Sequence, residues 1–110
     1  YYLSIADLGH ARGEDPRFSY AGAGPNDFAG ALQQALRNDE LFQRWRAAQA
    51  DPDAVDASLG NTDPSAELTA KVADLRTDVE LTTDLPMSVL HHRLFLLIGG
   101  GWQLRDMRVA

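Results

Sequence analysis

The chain contains three histidines, and two of them adjoin at His91-His92. An imidazole changes charge near neutral pH and can serve as acid, base or metal ligand. His91 and His92 fall within a predicted helix, where adjacent side chains point about 100° apart, so the two cannot chelate one metal. Helical metal sites use positions i and i+4, but position 95 is Phe and position 88 is Ser. His10 could join the pair only by tertiary approach. It lies close to Glu14 and Asp15, and an acid/base group built from His10, Asp15 and His91 or His92 is the enzymatic or small-molecule-binding reading. Nothing in the spacing selects these residues over ordinary surface charge. The histidine pair is expected at the edge of a buried helix, one ring half-covered and the other exposed, where a pH-sensitive contact could form.

Other patterns invite chemistry and do not complete it. Gly22-Ala23-Gly24-Pro25-Asn26-Asp27 resembles a phosphate-binding turn, but Asp27 replaces the third glycine of the dinucleotide fingerprint. A carboxylate at a helix N-terminus takes the place an anion would occupy. Asp51, Asp53, Asp56 and Asp63 resemble a calcium loop loosely; Thr62 stands where the bidentate glutamate belongs, and the central glycine is absent. No catalytic, cofactor-binding or metal-binding residue is assigned, and no cofactor is expected. Arg37, Arg44 and Arg46 flank Trp45, and arginine beside tryptophan is common at protein-binding hot spots. These four residues are the candidate partner-binding group. A core tryptophan with solvated arginines is the competing reading.

The elements that would position these residues follow from periodicity. Residues 1–8 read as a strand, with Tyr1, Leu3 and Ile5 on one face. Loop signals dominate residues 9–26, where Phe18 and Tyr20 could add a short strand. Asn26 or Asp27 is expected to cap a helix running to Arg37, with Phe28, Leu32 and Ala35 or Leu36 inward. Asn38 breaks it, and a second helix over residues 40–49 turns Leu41, Phe42, Trp45 and Ala48 inward. Residues 50–63 are acidic and turn-rich, with one helical turn over 53–59. Pro64 opens a predicted third helix over residues 64–75, with a stripe of Leu68, Val72 and Leu75. Residues 79–84 alternate as a strand. Residues 86–98 form the most apolar helix, with Leu90, Leu94, Leu97 and Ile98 on one face. Gly99 to Gly101 stops that helix. Residues 102–109 form the last strand, apolar at Trp102, Leu104, Met107 and Val109, with a β-bulge expected near Arg105-Asp106. Charges and a bulge mark an edge or near-edge strand.

The expected fold is therefore a single α+β domain over residues 1–110: a small, mostly antiparallel sheet of two to three strands against about four helices. A β-α-β crossover that makes the strands at 79–84 and 102–109 parallel is the local alternative. With 45% apolar residues the chain can build a core. It has no cysteine, which excludes disulfides and thiolate chemistry. No apolar run is long enough to span a membrane, and a cytoplasmic setting is expected. The leading functional expectation is a non-enzymatic protein-interaction or accessory module with an unidentified protein partner, monomeric in isolation. A structural subunit dimerising through its last strand is the further alternative. The net charge of -6 opposes nucleic-acid binding, because phosphates repel it. No retention on DNA or RNA is expected at physiological salt; micromolar binding that weakens as salt is added would contradict this.

Overall fold

The computed structural model describes residues 1–22 and 24–108. The chain runs β1 (Tyr2–Ile5), α1 (Pro25–Arg37), α2 (Glu40–Ala47), two 3-10 turns (Pro52–Ala54 and Ala57–Gly60), β2 (Glu67–Ala73), β3 (Arg76–Thr82), α3 (Met87–Ile98) and β4 (Trp102–Asp106). The strands form one four-stranded sheet in the order β2-β3-β1-β4, with every neighbouring pair antiparallel. It is an α+β fold with four strands and three α-helices, one strand more and one helix fewer than the sequence suggested. β3 and β4 both run antiparallel to β1, so they point the same way with β1 between them. The predicted crossover thus exists in split form: its two strands are parallel and not neighbours.

Period-two patterning gives the sheet one covered face and one open face. Leu3, Ile5, Val79 and Leu81 turn into the core, which they share with Phe28, Leu32 and Leu36 of α1 and with Leu90, Leu94 and Ile98 of α3. α1 begins with Pro25 in its first turn, where a residue without an N–H is tolerated, and not behind an Asn26 or Asp27 cap. Its buried stripe is Phe28, Leu32, Ala35 and Leu36, as the spacing predicts. The break at Asn38 is real, and the Asn38 Oδ1 accepts the Glu40 N–H at 3.1 Å where the next helix starts. α2 is shorter than expected, and only Phe42 is fully inside; Leu41 and Trp45 are half-buried and Ala48 is exposed. Gly99 leaves α3 at φ 67, a conformation open to glycine, while its N–H donates to Phe95 O at 3.0 Å.

Several expectations fail in instructive ways. Residues 64–75 are not a helix. Leu68, Ala70 and Val72 alternate along β2, and Asp74-Leu75 turns the chain straight into β3. The apparent helical stripe is not a buried face: Leu68 is 9% exposed, Val72 61% and Leu75 95%. Asp74 takes the positive φ of the two-residue turn, a role for which glycine is the stronger signal. β1 stops at Ile5, and Leu8 enters the core from a turn. Phe18 and Tyr20 are buried without forming a strand, because Tyr20 N–H donates instead to Leu97 O at the end of α3, at 2.8 Å. In β4 the register against β1 shifts between the Leu3–Leu104 and Tyr2–Asp106 pairs, which leaves Arg105 as the extra residue. The bulge is where the parity change puts it. The strand ends at Asp106, Met107 is exposed, and Val109 lies outside the described residues.

The least expected feature of the core is Arg93. It is fully buried on α3, and no acid forms an ion pair with it among the described residues. Its Nε donates to Ala35 O at 2.9 Å, Nη1 donates to Leu59 O, and Nη2 donates to Asn61 O at 3.2 Å. Ala35 lies in the last turn of α1, and Leu59 and Asn61 lie at the end of the second 3-10 turn. Such carbonyls lack helical partners and carry the negative end of the helix dipole. They take the place of a carboxylate. The guanidinium also lies 5.3 Å from the centre of the Phe42 ring. Burial pulls the Arg93 pKa down from its ordinary value, and the charge of Asp39 opposes this in part.

Leu94 is fully buried, so Leu94→Ala is expected to cost ~2–5 kcal/mol. Arg93→Met leaves three carbonyls without donors and is expected to cost on the order of 3 kcal/mol. Leu75→Ala, at the exposed turn, is expected to stay within ~0.5 kcal/mol of wild type. Chemical denaturation of the three variants checks this ordering.

Candidate functional site

The candidate acid/base residues are each engaged in separate local contacts. His10 Nδ1 lies 2.8 Å from Asp7 Oδ2 on an exposed turn. Asp15 pairs with Arg17, whose Nη2 donates to Asp15 Oδ2 at 2.7 Å; this bond holds the Asp15 carboxyl below its usual pKa. Glu14 is exposed. His91 is exposed and stacks edge-on against Trp102, ring centres 5.6 Å apart. His92 turns to the other side of α3, against Trp45 at 4.4 Å and Phe42 at 5.9 Å. Among the described residues, no three acid or histidine side chains converge on a common point for a metal. Asp56 and Asp63, from the acidic stretch, instead cap turns. Asp56 Oδ1 accepts Ser58 N–H at 2.9 Å. Asp63 accepts Thr83 Oγ1–H at 2.7 Å, which is the main reason its pKa is lowered.

The arginine–tryptophan group is divided in the same way. Arg37 Nε donates to Ala66 O at 2.8 Å, and Arg46 Nε donates to Pro52 O at 2.9 Å. Both hold the connection from α2 to β2. Trp45 is half-buried between Phe42 and His92. Arg44 is exposed, donates to Arg17 O at 3.1 Å and stands 5.9 Å from the Phe18 ring. Arg44 is the exposed member of the group, and Arg37, Trp45 and Arg46 are each partly exposed.

The surface that the sequence did not disclose is the outer edge of β2. Its direction is fixed by two sets of bonds. Leu68 N–H donates to Gln33 Oε1 at 3.4 Å, and Ala66 O accepts from Arg37, so even-numbered residues of this segment face away from β3. On β3, the Leu81 N–H donates to Tyr1 O at 2.9 Å, so odd-numbered β3 residues face β1. The register then joins Thr69 to Glu80 and Lys71 to Asp78 across the β2–β3 ladder and leaves Ala70 and Val72 with backbone groups pointing outward. Side chains of α1 cover the first half of this edge, and the second half ends at the exposed Val72 and Leu75. A seven-residue strand with unbroken register and no proline is a template for another strand. The other edge, β4, is five residues long and is interrupted at Arg105. On the open face of the sheet Tyr2 of β1 lies opposite Glu80, and Ser4 lies opposite Asp78.

His92 generates a pH prediction. Both ring nitrogens are buried without partners, and burial, then the charges of Arg93 and His91, lower its pKa to about 4. The unfolded chain, with an ordinary imidazole, binds the proton more readily. Stability is therefore retained above the unfolded value and lost as pH falls from about 6.5 towards 4. His92→Phe is expected to flatten this slope, by on the order of 1–2 kcal/mol once partial solvent contact is allowed for. Urea denaturation of both proteins at pH 7 and pH 4.5 measures it; equal losses would contradict the assignment. No family model matches the chain, and neither does any curated protein or solved structure at significance.

Proposed function

We propose that this domain is a non-enzymatic protein-interaction module that receives an extended segment of a partner along the free edge of β2. The observation that carries the reading is the second half of that edge: beyond the part covered by α1, β2 stays in unbroken register with β3 and Ala70 and Val72 face outward. An added strand would satisfy these backbone groups and would place apolar side chains beside Val72 and Leu75, which are 61% and 95% exposed. Lys71 and Glu67, on the opposite face of the strand, would favour a segment with one charge of each sign. The domain is monomeric when isolated. The alternative of dimerisation through the last strand has less support, since the bulge and charges at Arg105 and Asp106 are devices that keep an edge from pairing.

The test is selection of binding peptides from a random displayed library, followed by amide chemical-shift mapping. Ala70→Pro removes an outward N–H and leaves the β2–β3 ladder whole, because proline is tolerated where the donor faces solvent. Selected peptides are expected to shift the Ala70 and Val72 amides of the wild type. They are expected to bind Ala70→Pro about tenfold more weakly or worse. Peptides that ignore this substitution and instead shift Arg44 and Trp45 would move the function to α2. A dimer that persists on dilution and is lost when residues 105–110 are removed would favour the last strand.

A further inference from the structure

A cleft of about 470 Å³ opens where the uncovered sheet face meets the loops at one end of the sheet. Its floor is small. Ala6, Gly100 and Gly101 line it, and a methyl group at Gly100 would meet nothing within 4 Å. Two cations, Arg76 of β3 and Arg105 of β4, also line it. The bulge in β4 makes Arg105 the extra residue of the strand, and its Nε donates to the buried Ser4 Oγ at 2.8 Å. Arg76 Nε donates to Asp78 Oδ1 at 3.0 Å. Each bond fixes a guanidinium by one nitrogen, and no acceptor among the described residues takes the terminal Nη groups of either.

Gln103 adds a side-chain amide to the lining, while the Trp102 ring turns to the covered face of the sheet, against His91. The acid lining the cleft, Asp7, is already occupied by His10 Nδ1 at 2.8 Å. The Asp78 carboxylate offsets the charge of Arg76 in part, whereas Arg105 is bonded to a neutral hydroxyl and has no ion pair among the described residues. We propose that this cleft binds an oxyanion, the phosphate or carboxylate group of a small acidic ligand, between Arg76 and Arg105. Planar guanidinium groups receive such anions through paired N–H bonds. The Nε bonds to Ser4 and Asp78 hold the forks in place before the ligand arrives. This site is independent of the β2 edge.

Titration of the whole chain with inorganic phosphate, and separately with citrate, at constant ionic strength and against chloride, tests the proposal by amide chemical shifts. One or both anions are expected to move the Gly100, Gly101 and Ser4 amides saturably. The Arg76→Ala/Arg105→Ala variant is expected to bind about tenfold more weakly or worse. Arg17→Ala, an exposed arginine on the loop before α1 and outside the cleft lining, is expected to bind as wild type does. Saturation by phosphate alone identifies a phosphate ligand, and by citrate alone a carboxylate. Shifts no different from those in chloride would overturn the site. So would a double variant that binds like wild type, or an equal loss in Arg17→Ala. If the double variant alters the spectrum beyond the sheet, Arg76→Gln alone is read, and unchanged binding there overturns the proposal.

Discussion

The Arg93 guanidinium is a buried cation whose counter-charge is spread over three carbonyl groups, and the arrangement of the helical layer depends on it. A lone buried charge is costly, so its donors must all be matched. Matching them brings together the end of α1 and the end of the second 3-10 turn, segments distant in sequence. The same point gathers Phe42, on whose ring the guanidinium rests and against which Gly60 packs too closely to carry a side chain. The other late carbonyls of α1 are satisfied nearby: Gln34 O by Asn38 N–H at 3.2 Å, and Leu36 O by Asp63 N–H at 2.8 Å. Asp63 then ties this junction to Thr83, at the end of β3. Arg37 fixes Ala66, the residue before β2. A sequence of bonds thus leads from the buried charge to the strand that forms the edge of the sheet.

That placement has a functional consequence. The two edges of the sheet differ in how they are guarded. β4 is short and bulged, with Arg105 turned back to Ser4. β2 is longer, regular, and covered by α1 only near its start. The same bulge that closes β4 to pairing carries Arg105 to the cleft on the open face, so one irregularity blocks a strand partner and positions a cation. The two proposed binding regions use different chemistry: backbone groups at the edge of β2, and on the open face the guanidinium groups of Arg76 on β3 and Arg105 on β4.

What the sequence revealed depended on whether a pattern had one physical meaning. Phe28, Leu32 and Leu36 fit a helix and nothing else, and they form the inner face of α1. Leu94 and Ile98 were equally clear, as was the change of parity at Arg105. Leu68, Val72 and Leu75 fitted a helical period, but Leu68, Ala70 and Val72 fitted a strand period as well. Pro64 resembles a helix start and the Asp74-Leu75 turn lacks glycine, so the helical period outweighs the strand period in the sequence. This ambiguity conceals the edge strand, and with it the proposed contact surface. Arg93 was also illegible. An arginine on an apolar helix reads as solvated, and the carbonyls that receive it come from residues 32 to 58 positions away. For the same reason the backbone oxygens that receive Arg37 and Arg46 are not legible in the sequence.

The exposed edge of β2 is the central claim, and native-state amide hydrogen exchange of the isolated chain tests it most directly. Thr69 and Lys71 should exchange slowly, because their N–H groups lie in the ladder with β3. Ala70 and Val72, facing outward, should exchange close to the rate of an open chain, giving an alternation of fast and slow along one strand. Equal protection at all four positions would show that the edge is already covered, by this chain or a second copy. Slow exchange with helical periodicity across residues 64–75 would restore the helix and remove the edge altogether.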